Sequence, residues 1–372
     1  MKKLLRLKRI YILGLIPISF LLTLAAKESS FFAEQIYAKR IYKIISQIIS
    51  VITGVLPFSL AELLVIAAPI AALIILVNFI IKMIINKNNR IERFGKGIIN
   101  LLCTVSILLF LFTILAGLNY YRYPFSSYSN LVIQNSTVEE LYALTDSLAD
   151  EANELREEVP LTDENGIFQL SMSHYQLAKL AAKAYEALSE DYPIVGGNYG
   201  KPKPVLFSEV MSSTEITGIF FPFTMEANVN IAVPDYTIPS TMLHELAHLR
   251  GFMREDEANF LAYLAGMKSD QVELRYSSTM DALVNAGNAL YKQDPDEYWQ
   301  VFGKLSEGVS KDLKANSVYW QKYDNTVIST VSNHINDTYL KVNNQTDGVK
   351  SYGRMLDLML AKYRKEHENN EK

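Results

Sequence analysis

Apolar positions in the first third of the chain are continuous rather than periodic. Three runs stand out: residues 10–26, residues 60–81 with an apolar core from Leu63 to Ile81, and residues 97–118. Each is close to the ~20 residues that carry a helix across a ~30 Å hydrocarbon core. Three N-terminal transmembrane helices are therefore expected. A shorter apolar stretch, Ile44 to Leu56, contains Ser46, Gln47, Ser50 and Thr53. It is too short to span, and reads as interfacial or packed against the other helices.

From about Ser126 the pattern becomes periodic. Ser136 with Glu139 reads as a capping box. Leu141, Leu144, Leu148 and Leu155 then recur at helical spacing, which predicts a helix to about Glu158. A second helix is expected from about Ser173 to Ser189, followed by a Gly/Pro-rich stretch, Tyr192 to Pro204. Two β-like runs come next: Val205 to Phe207, and Thr217 to Val233 with a turn near Thr224–Glu226. Beyond Ser240 the pattern is almost entirely helical to Tyr363. It breaks at Asp294-Pro295 and in a polar stretch around Asn343–Gly348. The expected organisation is a membrane domain in residues 1–125 and a second domain in residues 126–372, predominantly helical with a small sheet.

Charge sharpens this division. Residues 1–125 carry 15 basic and 4 acidic side chains, a net of +11, whereas the remainder carries 21 and 36, a net of −15. An acidic second domain argues against nucleic acid as a partner. Lys2, Lys3, Arg6, Lys8 and Arg9 precede the first run, and Lys82, Lys87, Arg90, Arg93 and Lys96 lie between the second and third. The positive-inside rule then places the N-terminus and that loop in the cytoplasm of a multi-pass membrane protein. Three crossings deliver the second domain to the extracytoplasmic side. Tyr120, Tyr121, Tyr123 and Phe125 would form an aromatic belt. Leu24 fits poorly at the −3 position of a cut after Ala26, so the first run reads as a retained anchor rather than a cleaved signal. The single cysteine, Cys103, excludes an intrachain disulfide.

The most specific signal is His244-Glu245-Leu246-Ala247-His248. Residues four apart share a helix face, so both imidazoles can reach one metal ion. Glu245, one residue past the first ligand, projects beside that ion, where a general base for water is needed. Ser240, preceded by Pro239, reads as the N-cap, so the helix is expected from residue 241. Zinc requires a third protein ligand. A straight helix would carry it out of reach, and Gly251 is a natural stop where the chain can turn back. The segment Arg254 to Ala265 reads as the next helix, with Glu255, Asp256 and Glu257 in its first turn.

Glu255-Asp256-Glu257-Ala258-Asn259 resembles the Glu-x-x-Ala-Asp signature of membrane-bound gluzincins. The resemblance implies Glu255 as the third zinc ligand and Asn259 as the partner that orients a ligand histidine, with Asn in place of the usual Asp. Glu257 stands as the alternative ligand. The chain keeps the glycine of the metzincin motif at Gly251 but has Arg254 where that family has its third histidine. Over most of its length the chain also resembles the family called domain of unknown function 3810. The resemblance rests on Tyr120-Tyr121-Arg122, Gly218 to Phe223, the His244 helix with Glu255 to Phe260, and Asp347 to Arg354. It implies three spans followed by a zincin-like α+β domain, and names no substrate.

Gly218–Phe223 is the candidate strand edge for extended substrate, with Pro222 suiting an edge position. Tyr352 and Arg354 are candidates for the donor that stabilises the oxyanion. The expected function is a membrane-anchored zinc metallopeptidase acting on peptide or protein substrate. The alternatives are a zinc-binding regulator or scaffold without catalysis, and a zinc amidase acting on cell-wall components.

Overall fold

The computed structural model describes residues 8–85, 88–324, 326–343 and 355–370. A 3-10 segment, Lys8–Gly14, runs into α1 (Leu15–Glu28). A π-type turn of helix, Phe32–Tyr42, leads into α2 (Lys43–Gly54). Then follow α3 (Leu60–Ile85) and α4 (Arg90–Leu115). Three helical stretches are long and apolar enough to cross a membrane: Lys8–Glu28, Leu60–Ile85 and Arg90–Leu115. Among the described residues they cover the three expected runs with shifted ends: the second continues to Ile85, and the third starts at Arg90 rather than residue 97 and ends before residue 118. α4 stops at Leu115, and a 3-10 turn at Gly117–Tyr121 buries Leu118, Asn119 and Tyr120.

The aromatic residues after α4 are not a uniform belt. Tyr120 and Phe125 are buried, and Phe125 packs edge-on against Tyr192, Phe252 and Phe260. Their pull toward the core outweighs any interfacial preference, because each ring removes a large apolar area from solvent.

The remaining chain builds α5 (Val138–Glu158), α6 (His174–Asp191), α7 (Ile238–Leu249), α8 (Glu255–Met267), α9 (Val272–Gln293), α10 (Pro295–Phe302), α11 (Glu307–Gln321), α12 (Val327–Val342) and α13 (Met355–Asn370). The capping box of α5 uses Thr137 and Glu140, one residue later than Ser136 and Glu139. Arg364 fixes that choice by gripping the Glu140 carboxylate at 2.6 and 2.8 Å. Ser173 caps α6 as its position suggested, closing a box with Gln176.

A small sheet of β1 (Lys203–Pro204), β2 (Gly218–Phe221) and β3 (Glu226–Val229) has the order β1-β3-β2. β1 runs parallel to β3, and β2 antiparallel. β2 is thus an edge strand. Val205–Phe207 is not a strand. Val205 donates one bond to Val229, and the Leu206 and Phe207 amides donate instead to the Glu62 carboxylate in the first turn of α3.

The hydrophobic core crosses residue 125 without a break. Ala33, Tyr37, Tyr42, Leu115 and Leu118 belong to the same buried cluster as Met242, Leu246, Phe252 and Phe260. Buried ion pairs add to the union. Arg122 bonds Glu34 at 2.8 Å, and Lys203 bonds Glu226. Glu226 also accepts from the Leu60 and Ala61 amides at 3.2 and 2.7 Å, fastening the start of α3 to the sheet. A carboxylate suits this place, where unpaired amides and the helix dipole converge.

Candidate metal centre

The motif lies on α7, which begins three residues before the expected start. Ile238 opens the helix, Pro239 occupies its first turn, and Ser240 lies inside, donating its hydroxyl to the Thr237 carbonyl. Met242, Leu243, Leu246 and Ala247 are fully buried and fix the helix against α8, α6 and β3. The end is a Schellman turn. The Phe252 amide bonds the Ala247 carbonyl at 3.1 Å and the Gly251 amide bonds His248 at 2.8 Å. Gly251 has φ +87°, and a Cβ there would stand 2.8 Å from the Tyr42 ring. Both the backbone and the packing therefore call for glycine.

This turn returns the chain so that α8 faces α7. His244 Nε2 lies 3.2 Å from one Glu255 oxygen, and His248 Nε2 lies 3.6 Å from the other. One ligand atom from each of the three residues lies within 4.8 Å of the others. Ligands about 2 Å from a tetrahedral ion stand roughly 3.3 Å apart, so these three can share one ion with little movement. The second nitrogen of each ring is also held. His244 Nδ1 is 2.5 Å from Asn259 Oδ1, and His248 Nδ1 is 2.8 Å from the Phe252 carbonyl. Both acceptors leave Nε2 as the atom presented to a metal.

Glu257 does not join this group. It accepts from the Phe125 amide at 2.6 Å and from Arg254 at 2.7 Å. Burial raises its pKa, and Arg254 opposes that rise. Asn259, expected as the orienting residue, contacts His244. Tyr352 and Arg354 lie outside the described residues.

Glu245 is buried, with Oε2 left without a hydrogen-bond partner. Gly218–Phe221 of β2 lies beside it on the cavity wall. A Cβ on Gly218 would stand 2.5 Å from Glu245 Oε1, so glycine here lets the edge strand lie against the acid. Burial raises the pKa of Glu245, and the two imidazoles pull it back. Burial disfavours a charged His244, yet the bond and charge of Glu255 outweigh it and push the ring up to about 9. Burial alone would raise Glu255, but the charge of His248 and the bond from His244 hold it well below the usual carboxylate range. The pocket therefore favours positive charge at the point where the three side chains meet, which is what a cation would supply.

A cavity of about 730 Å³ opens over the three side chains. Its walls include β2 from Gly218 to Phe221, Phe112 of α4, Tyr120, Asp281 and Asn285 of α9, and Ile335 and Tyr339 of α12. Asp281, Asn285 and Tyr339 are not marked by any sequence motif. Burial pushes Asp281 up to about 6. Tyr120 donates to the Tyr339 hydroxyl at 3.0 Å. Burial and the charge of Glu255 raise the Tyr339 pKa, keeping its proton available for donation. The 281/285 spacing marks one helix face, but nothing local says that this face meets α7.

The family model described as Protein of unknown function (DUF3810) matches residues 37–360. No curated protein and no solved structure matches the chain.

Proposed function

The chain belongs to the DUF3810 family, a membership that assigns no chemistry, and from the site itself we propose that it is a membrane-anchored zinc metallopeptidase. The observation that carries this reading is the convergence of His244, His248 and Glu255 beside a buried carboxylate, Glu245, with one unpartnered oxygen. Two nitrogens and one oxygen suit zinc with an open fourth position. A bound zinc ion would supply Lewis acidity toward a carbonyl and make water a better acid.

The chain's own groups do the rest. Glu245 Oε2 takes the proton of the attacking water and returns it to the leaving amine. The close approach of Gly218 confines that carboxylate against β2. Tyr339 presents a phenol on the cavity wall, suited to donate to the oxyanion of the tetrahedral intermediate. β2 offers an edge on which an extended peptide can add as a further strand. The cluster of basic residues before the first span and between the second and third supports an extracytoplasmic site.

The test is Glu245→Gln in the purified full-length protein. Zinc content should remain at one ion per chain, whereas peptide hydrolysis should fall by about 10³-fold or more, since a general base contributes on the order of 10²–10⁴ and is here combined with positioning. Unchanged hydrolysis in that variant ends the proposal.

A further inference from the structure

α2 packs with its polarity inverted. Ser46, Ser50 and Thr53 are buried, while Ile44, Ile48, Ile52 and Val55 are 57, 56, 65 and 79 % exposed. The buried face is satisfied by the protein. Thr53 Oγ1 bonds the Thr224 carbonyl at 3.0 Å, and Ser50 Oγ accepts from the Gly200 amide at 3.3 Å. Ile45 and Ile49 pack partly against the core, but in water the exposed isoleucines and Val55 would still forfeit their burial while hydroxyls occupy the inner face. The arrangement is stable where the outer medium is hydrocarbon.

The apolar surface continues in both directions. Five residues past Val55, α3 begins, a helix apolar enough to cross the bilayer. Leu206 and Phe207, whose amides Glu62 of α3 accepts, are 74 and 57 % exposed. The exposed face of α2 is therefore continuous with the lipid-facing surface of a span.

The same contacts fix the height of the cavity. Thr224, bonded to α2, closes the β2–β3 hairpin, and β2 is the edge strand lining the cavity. Ser59, at the start of α3, bonds Asn228 of β3 at 2.6 Å. On the other wall, Phe112 belongs to α4, three residues before that span ends at Leu115. One wall of the cavity is thus tied to α2, and another is the end of a helix apolar enough to span.

We propose that α2 lies in the bilayer surface and that the cavity receives polypeptide within a few residues of its exit from the membrane, so that the substrate class is membrane-tethered protein. This rests on the metallopeptidase reading of the same site. A tethered segment reaches β2 at an effective concentration set by its distance from the bilayer.

Two measurements on the full-length protein in phosphatidylethanolamine–phosphatidylglycerol vesicles test it. The first places an environment-sensitive thiol label at Ile48→Cys in a Cys103→Ser background. Quenching by lipid-attached nitroxide and protection from aqueous iodide are expected; free access of iodide overturns the inference whatever the enzymology. The second compares one peptide sequence joined to a single apolar helix by short or long spacers. Cleavage should fall by about 10-fold once a spacer of about 5 residues is lengthened by roughly 15, as the −3/2 power of tether length requires for a cavity at the membrane exit. Equal or faster cleavage with the long spacer overturns the inference and leaves the metallopeptidase reading intact. Hydrolysis of no peptide by zinc-loaded protein overturns both, and the label then still reports where α2 lies.

Discussion

α2 and α7 are both 12 residues long, and each holds apolar side chains along one face. They solve opposite problems. α7 turns Met242, Leu243 and Leu246 inward and leaves His244 at the cavity. α2 turns Ser46, Ser50 and Thr53 inward beside the partly buried Ile45 and Ile49, and leaves Ile44, Ile48 and Ile52 outside. The difference teaches that amphipathicity gives a helix a facing direction only once the medium on each side is known. The two helices are also joined. Tyr42, at the start of α2, donates its hydroxyl toward the His248 and Leu249 carbonyls, and Arg122 bonds the Arg250 carbonyl. The membrane-side segments therefore hold the end of the helix that bears the ligands.

The most severe way to break this comparison is to remove one partner. A fragment starting at Ser126 loses Glu34, Tyr42 and Arg122. It should show no cooperative thermal transition and no stoichiometric zinc, as read by calorimetry and metal analysis. A folded, zinc-binding fragment would mean that α7 needs nothing from the membrane side. Next in size, Arg122→Met leaves the buried Glu34 with only the distant Lys39 at 4.0 Å as a cationic partner among the described residues, and should cost about 3–5 kcal/mol. Detergent-solubilised protein melted by intrinsic fluorescence would report it, and adding Glu34→Met should restore part of the loss.

A matched pair of truncations sharpens the polarity argument. Leu246→Ala should cost about 2–5 kcal/mol, because a buried side chain leaves a cavity. Ile52→Ala, at the exposed face of α2, should stay within about 0.5 kcal/mol in the same detergent. Comparable losses would show that the α2 face is packed against protein. At the support of the candidate metal centre the expected effect is on affinity rather than stability. Asn259→Ala frees the His244 ring and should weaken zinc binding by about 10–100-fold without unfolding the protein, as measured by competition with a chelating dye. An unchanged affinity would remove Asn259 from the site.

The local features of the site are legible in the chain because they depend on helical periodicity and backbone freedom. His244 and His248 share a face whatever surrounds them, and a positive φ after α7 is met most easily by Gly251. The three apolar runs are likewise determined by length against hydrocarbon thickness. Sequence narrowed the third candidate ligand to Glu255 or Glu257, two residues apart in one helical turn. Such residues point roughly 200° apart, so only one can face α7. The choice fell to packing: Glu257 is taken by the Phe125 amide and Arg254, and Glu255 is left to meet the imidazoles. The capping of α5 at Thr137 and the burial of Tyr120 and Phe125 were settled the same way, by Arg364 and by the shared core.

The residues themselves dictated which segments are apolar enough for lipid, where the helix that aligns His244 with His248 lies, and where it must stop. Tertiary structure alone decided that a serine-bearing helix hides its hydroxyls, that Asp281 and Tyr339 line the cavity, and that the first third of the chain braces the site. The reason is range. Periodicity and φ act over a few residues, whereas burial is decided by what approaches from 100 or more residues away, as Tyr42 approaches His248 across a separation of 206.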